Sequence, residues 1–308
     1  MKKTWGDKPY HSLDYYLKQT FGEKVYKVSL NTGCTCPNRD GSLDTRGCIF
    51  CSSGGSGDFT SSSSLSITEQ IEAEKLRIGD KYKGSSYIAY FQAFTNTYGN
   101  PQRLESLYLE AANHPDIKAI SIATRGDCLP DEIIDVLCRI HKIKPVWIEL
   151  GLQTIHEKSI DFIRRGYSHQ TFDKALNQLN IHKIPVVVHM ILGLPGESQK
   201  EIYETLQYIN QSPIWGVKIS LLYILKQTDL GVLFEQSPFC IPSLEEYLDF
   251  IGFCIGHLDP DIVIHRLTGD GPKNLLIEPK WTANKKLVLN RLHHYLKEQD
   301  IWQGKELK

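Results

Sequence analysis

Seven short runs of β-branched and aromatic residues recur along the chain: 25–30 (VYKVSL), 87–92 (YIAYFQ), 117–123 (IKAISIA), 146–151 (VWIELG), 186–192 (VVVHMIL), 217–222 (VKISLL) and 261–266 (DIVIHR). Longer segments with apolar positions at helical spacing separate them, at about 68–83, 101–114, 130–143, 156–164, 171–183, 198–210, 244–258 and 283–298. Start signals support several of these. Thr68 stands before Glu69, Ser198 precedes Glu201 at capping-box spacing, and Pro101 and Pro130 suit first-turn positions. Strand then helix, repeated, predicts an α/β fold with a parallel sheet and right-handed crossovers. The strands are apolar on both faces, as buried parallel strands tend to be. An open sheet and a curved partial barrel both fit, and in either the ligand sites gather at the carboxyl ends of the strands.

Polar clusters fall at those ends. The second strand runs into AFTNTY, placing Gln92, Asn96 and Thr97 at the mouth. The third ends in Thr124-Arg125-Gly126-Asp127, the fourth in Glu149-Leu150-Gly151-Leu152-Gln153, and the fifth in a turn containing Gly193 and Gly196. Polar or glycine-rich tips on apolar strands build small-molecule sites. Taken singly they are ordinary: Arg125 with Asp127 reads as an ion pair, the glycines as a turn, and His189 as a core histidine. Glu149 is different, because a buried carboxylate needs a partner.

The first strand leads into CPNRDGSLDTRGCIFC, with Cys36, Cys48 and Cys51. The C-x₂-C end holds two thiols together, and the turn-rich loop after Cys36 lets it fold back onto them. Iron–sulfur clusters ordinarily take four cysteines, so three would leave one iron open to a small molecule. A structural zinc site wants a second close pair, and none follows soon. Spacing alone leaves an iron–sulfur site, zinc and unrelated thiols open. Cys34 is a possible fourth ligand but reads better as a packing residue at the strand end. Cys138, Cys240 and Cys254 sit in apolar surroundings and read as small core hydrophobes. The Ser/Gly-rich stretch 52–64 reads as a mobile loop near the thiols.

Composition narrows the classes. Among 308 residues, 41% are hydrophobic, enough for a sizeable core, and the formal net charge of −1 argues against a globally basic nucleic-acid binder. The charge is uneven, however: residues 273–308 carry eight Lys/Arg against four acids, and residues 1–27 carry six Lys against three. Either end could form a basic face for phosphates. The amino-terminal stretch has no apolar signal region, and no apolar run is long enough to span a bilayer. A cytoplasmic, reducing location without disulfides is therefore expected.

CPNRDG…GCIFC, GSGDF (55–59), YFQAFTNTY (90–98), IATRGDCLP (122–130), ELGLQTIH (149–156), RRGY (164–167), HMILGLPGE (189–197) and HRLTGDGP (265–272) together resemble the radical S-adenosylmethionine (SAM) superfamily. Within it they look most like the YtqA/YhcC family, relatives of the radical domain of the elongator catalytic subunit. The resemblance implies a partial (β/α)₆ barrel: a core over 25–260, a short N-terminal extension over 1–24, and a C-terminal strand with a basic helical extension over 261–308. It implies that Cys36, Cys48 and Cys51 ligate a [4Fe–4S] cluster whose open iron takes SAM through its amino and carboxylate groups. Reductive cleavage would then give a 5′-deoxyadenosyl radical that takes hydrogen from the substrate. Gln92, Asn96 and Thr97 would lie near the methionine end of SAM, Arg125 and Asp127 near its ribose or carboxylate, Gln153 toward the substrate, and Gly193 and Gly196 near the adenine. An electron donor such as flavodoxin or ferredoxin is implied.

In Gram-positive relatives the family is linked to removal of the carboxymethyl group from 5-carboxymethylaminomethyl(-2-thio)uridine at the tRNA wobble position. That makes tRNA the expected partner. Trp281, Lys280, Lys285 and Lys286 would contact the RNA, and Arg164, Arg165 or Arg266 would hold the carboxylate. The stretch after Pro272 is too short for the acetyltransferase domain of elongator-type enzymes, so acetyl-CoA-dependent carboxymethylation is not expected. The alternatives are a radical SAM enzyme acting on a small metabolite or protein and, more remotely, a non-catalytic zinc-binding module.

Overall fold

The structure, a computed structural model, describes residues 3–55, 60–79, 82, 84–269 and 271–307. Ser56–Phe59 of the GSGDF motif and Asp270 of the HRLTGDGP motif lie outside the described residues. Seven strands form one sheet: β1 (Tyr26–Leu30), β2 (Tyr87–Phe91), β3 (Ile117–Thr124), β4 (Val146–Gln153), β5 (Val186–Leu192), β6 (Gly216–Leu221) and β8 (Val263–Arg266). They lie side by side in that order and all pairs are parallel. Between them run α2 (Ile67–Ile78), α3 (Pro101–Asn113), α4 (Asp131–His141), α5 (Glu157–Phe162), α6 (His169–Ile181), α7 (Gln199–Gln211), α8 (Asp229–Gln236) and α9 (Leu244–His257). The seven apolar runs are thus seven parallel strands.

The sheet is curled. Neighbouring strands stand roughly 4.8 Å apart, so β1 and β4 would be far apart in a flat sheet. Yet Lys27 on β1 reaches Glu149 on β4 at 2.9 Å, and Lys218 on β6 reaches the Tyr90 hydroxyl on β2 at 3.2 Å. Only a sheet rolled toward a barrel brings these side chains together. β1 and β8 are its edge strands and do not pair with each other, so the barrel stays open on one side; the outer edge of β8 carries a single bridge, Ser12 to Ile264.

Its outer face and the covering helices make the main core, from Val28, Leu30 and Phe91 round to Ile251 and Ile255. Its inner face is layered. The lower layer is apolar: Val25, Ile88, Ala119, Trp147 and Val187 pack together and are sealed by Leu13 and Leu17 of α1 (Leu13–Phe21). Above that plug the interior becomes polar, and there the site begins.

Local chemistry explains the boundaries. α2 starts two residues earlier than a cap at Thr68 would give, because Ser66 is the cap and exchanges bonds with Glu69 in a capping box. Ser198 and Glu201 form the expected box on α7. Pro101 opens α3, whereas Pro130 sits at the cap of α4 rather than inside it. Two short strands, β7 (Ile224–Leu225) and β9 (Leu276–Glu278), pair antiparallel outside the main sheet. α10 (Lys285–Glu298) packs on α9 through Tyr295–Asp249 and Arg291–Glu245 contacts of 2.7 and 2.9 Å. Cys254 is buried as expected, but Cys240 is exposed in the loop before α9 and is no core residue. In the Ser/Gly-rich stretch, Ser52 and Ser61 are buried, and Ser61 donates to Glu74 at 3.0 Å. No helix among the described residues is long and apolar enough to cross a membrane.

Candidate active site

The cysteine loop lies across the carboxyl ends of the strands and is tied to the turn after α5. Asn38 donates to the carbonyls of Arg164 and Arg165 at 2.8 and 3.2 Å, and Ile49 N–H donates to Ile163 at 3.1 Å. The close approach needs Gly166: its φ is +81°, and a Cβ there would stand 2.3 Å from Asn38 Oδ1. Arg39 clamps the loop's far end through the carbonyls of Cys51 (3.1 Å) and Ser52 (2.5 Å).

This places Cys36, Cys48 and Cys51 around one cavity of about 170 Å³. Its walls are Phe50, Phe94, Ile163 and Tyr167, and its polar lining includes Arg125, Gln153, Arg165, Glu149 and His189. Arg125 stands 3.8 Å from the Cys36 sulfur and Asn38 stands 3.6 Å from that of Cys48. N–H donors aimed at sulfur suit thiolates that hold a metal cluster. The hydrogen bond with Cys51 draws the Cys48 thiol below its ordinary value, helped by Arg125 and Asn38, while Cys51 is pushed up. Among the described residues no three His, Cys, Asp or Glu groups are placed to hold a single metal ion. Three thiols on one cavity, two of them hydrogen-bonded to each other, are a donor set that would hold an iron–sulfur cluster. Cys34 is buried near Arg103 (3.9 Å) and is absent from the cavity lining, as a packing residue should be.

The eight other strand-end residues divide. Arg125 and Gln153 line the cavity. Asp127 holds Arg125 in a two-point fork at 2.9 and 2.7 Å, and the guanidinium lies over Tyr167. Gln153 adopts φ +59°, and its amide, oriented to donate, meets the carbonyls of Gly151 and Leu152 at 3.2 and 3.1 Å. Asn96 is fully buried and spends its amide on the Phe91 and Ala123 carbonyls (3.0 and 3.1 Å) and on the Thr32 hydroxyl (2.9 Å). Thr97 bonds Thr124 and the Cys128 carbonyl, both at 2.5 Å. These two lock loops together and do not line the cavity. Gln92 accepts from Ser29 at 3.1 Å and faces a different, outer cleft. Gly193 and Gly196, with φ of +76° and +86°, shape the turn into α7, outside the cavity lining. Of the three arginines expected to meet a substrate carboxylate, Arg164 pairs with Asp229 at 2.7 Å. Arg165 is buried against the carbonyls of Leu152, Thr154 and Tyr167. Only Arg266 lines the outer cleft, its Nε on the Thr268 carbonyl.

The cavity floor is a cluster that reading along the chain does not assemble. Glu149 on β4, 1% exposed, accepts from Ser121 (2.6 Å) and Lys27 (2.9 Å) on one oxygen, and from His189 (2.8 Å) and Lys218 on the other. Lys218 also reaches Tyr90, whose ring lies between both ammonium groups, 4.8 and 4.3 Å from its centroid. Burial alone would raise the Glu149 pKa, but facing Lys218 and Lys27 holds it well below the usual carboxylate range. Burial pulls Lys218 down to about 7 and lowers His189. So Glu149 has the partners it needs, and His189 is a cavity residue rather than a lone core histidine. The available signal was Lys27 and Lys218 at the centre of apolar strands, where a cation requires a counter-charge.

Beyond Tyr90 opens the second void, a cleft of about 1400 Å³ on the open side of the barrel. It is lined by Lys27, Lys218, Arg266, Lys273, Lys280, Lys285 and Lys286, with no Asp or Glu among the described lining residues. Tyr90 lines both voids. Trp281 also borders the cleft, but its indole N–H donates to Pro242 (3.1 Å) and its ring packs on Tyr247, so it serves packing more than stacking.

Comparison with known proteins agrees with this geometry. The profile of the radical SAM superfamily matches residues 31–209 and that of the radical SAM C-terminal domain matches 214–298. The chain is 39% identical to protein YtqA of Bacillus subtilis over 97% of its own length and 93% of that protein. It is 34% identical to protein YhcC of Escherichia coli K12, over 94% and 93%. A tRNA uridine(34) acetyltransferase of Methanocaldococcus jannaschii shares 25% identity over 55% of this chain and 31% of its own length. In fold the chain is similar to the archaeal Methanocaldococcus infernus Elp3, with a TM-score of 0.67 and 16% identity, covering 91% of this chain and 64% of that one. A [4Fe–4S] cluster and SAM are the cofactors of the radical SAM superfamily, and the three thiols, the N–H donors beside them and the cavity they share fit that pair. The chain belongs to the radical SAM enzyme superfamily, and within it to the group of YtqA and YhcC.

Proposed function

We propose that this enzyme modifies the wobble uridine of tRNA, converting 5-carboxymethylaminomethyl(-2-thio)uridine to its 5-aminomethyl form. The observation that carries the reading is the junction at Tyr90. There a cavity bearing three thiols meets a cleft whose charged groups, among the described residues, are all cations. A polyanion would lie in such a cleft, with one base turned inward toward the thiols. The similarity to a tRNA uridine(34) acetyltransferase points to the same class of substrate.

Cys36, Cys48 and Cys51 would hold the cluster. With SAM bound, that centre supplies the means to remove a hydrogen atom from an unactivated C–H bond. The chain's own residues set the conditions. Arg125, fixed by Asp127, places a cation beside Cys36. Phe50, Phe94, Ile163 and Tyr167 keep the cavity apolar on its sides and limit water. On the substrate, the reacting carbon is the CH₂ between amine and carboxylate. Loss of one hydrogen atom and of one further electron to a one-electron acceptor gives an iminium ion. Its hydrolysis frees the aminomethyl base and glyoxylate. Flavodoxin or ferredoxin would supply electrons to the resting enzyme.

The test is the tRNA nucleoside profile of a strain lacking the gene. Accumulation of the carboxymethylaminomethyl nucleoside with loss of the aminomethyl form is expected. An unchanged profile overturns the reading.

A further inference from the structure

The floor cluster carries one carboxylate against two lysines, with His189 lowered by burial and so tending to neutrality. Glu149 is saturated: four donors occupy its two oxygens. The lysines are not. An ammonium group has three N–H donors. Among the described residues Lys27 has one hydrogen-bond partner and Lys218 has two. The cluster therefore has one carboxylate for two lysines, and the lysines keep N–H donors that a second anion would fill.

Position shows from which side an anion would reach those donors. Lys27 and Lys218 line the outer cleft, whereas Glu149 and His189 line the cavity of the thiols. Beside them His265 lines the cleft with both ring nitrogens buried and unpartnered. We propose that Lys27 and Lys218 form a carboxylate receptor at the junction of the two voids, seating the acid group of the substrate so that the neighbouring carbon faces the thiol cavity. The identification of that acid as the carboxymethyl group of the modified base rests on the tRNA reading above; the receptor itself rests on the cluster. The carboxylate of SAM is a second possible source. The lysines' absence from the thiol cavity lining favours the substrate.

The experiment uses the reconstituted holoenzyme and three probes: the 5-carboxymethylaminomethyluridine nucleoside, 5-aminomethyluridine, which lacks the carboxylate, and inorganic phosphate. Binding is measured by calorimetry for wild type, Lys27→Met, Lys218→Met and Lys218→Arg. A charge-assisted hydrogen bond is worth about a tenfold change in affinity or more. Wild type should prefer the carboxylated nucleoside by about tenfold or more, each methionine variant should lose most of that preference, and Lys218→Arg should restore part of it. SAM affinity should stay within about twofold of wild type in Lys27→Met. Should Lys218→Met fail to fold, the partly exposed Lys27 carries the test. Preference retained in Lys27→Met and Lys218→Met overturns the receptor and leaves the tRNA reading standing. Loss of SAM affinity with nucleoside preference intact assigns the lysines to SAM and overturns it too. Phosphate competing as well as the carboxylated nucleoside overturns the carboxylate assignment.

A second arm separates the two readings. Lys27 and Lys218 are labelled with trace acetic anhydride and read by peptide mass spectrometry, with and without N-methylglycine. Protection by N-methylglycine in an enzyme that ignores both nucleosides would sink the tRNA reading and keep the receptor. No protection by N-methylglycine or by the carboxylated nucleoside would sink the receptor.

Discussion

The two voids that meet at Tyr90 differ in almost every physical respect. The inner one is about 170 Å³, walled by aromatic and aliphatic side chains, with thiols and charges of both signs. The outer one is about 1400 Å³, open to solvent, and its charged lining is all of one sign among the described residues. A small space with apolar walls suits chemistry that must exclude water. A lining of one charge sign on an open surface suits capture of a large anion, at long range and with strong salt dependence. The contrast assigns chemistry to one side of Tyr90 and recognition to the other.

The largest effect should come from the inner side. Serine at Cys36, Cys48 or Cys51 should abolish loading of a [4Fe–4S] cluster during anaerobic reconstitution, read as loss of iron, sulfide and the brown absorption. Full loading in all three variants would place the cluster elsewhere. Next comes Glu149→Gln, which leaves two lysines without their carboxylate. Breaking a buried ion pair costs about 3 kcal/mol or more, to be measured by urea unfolding near pH 7. The same carboxylate sets an acid limit. Its folded pKa lies below the unfolded value, so its stabilisation is present above the ordinary carboxylate range and is lost as pH falls through and below it. Wild-type stability should fall in that window more steeply than that of Glu149→Gln.

On the outer side, Lys280→Glu, Lys285→Glu and Lys286→Glu combined should weaken tRNA binding by about tenfold or more and flatten its salt dependence. SAM binding should be untouched. A triple variant that binds tRNA normally would detach the cleft from recognition. The smallest effect comes from a helix cap that lines neither void. Thr228 caps α8, accepting from Gly231 at 3.0 Å, so Thr228→Ala should cost about 1 kcal/mol of stability and leave both binding functions intact.

Much of this was readable along the chain. The seven strands are apolar runs of ordinary strand length, and period and flanking turns reveal them. The three thiols are visible because their spacing is local, and Arg125 and Gln153 because strand ends point at the site. The helix α1 (LDYYLKQTF) is only 9 residues long, and β7 and β9 are too short to show a period. Gln92, Asn96 and Thr97 look alike as polar tips. Whether such a group lines a cavity or closes a loop depends on which carbonyls the fold brings near, as the Phe91 and Ala123 carbonyls do for Asn96. The floor cluster was hidden for a related reason. Lys27, Tyr90, Glu149 and Lys218 stand on four strands, and only the curl of the sheet makes them neighbours.

The central claim is that the two voids serve one reaction. It is tested most directly by single-turnover assay of the reduced, reconstituted enzyme with SAM and tRNA carrying 5-carboxymethylaminomethyluridine, following 5′-deoxyadenosine and the modified nucleoside together. The account predicts that 5′-deoxyadenosine forms in step with the 5-aminomethyl nucleoside and that both are lost in the cysteine variants. Abundant 5′-deoxyadenosine with the nucleoside unchanged, at the same rate with and without tRNA, would contradict it.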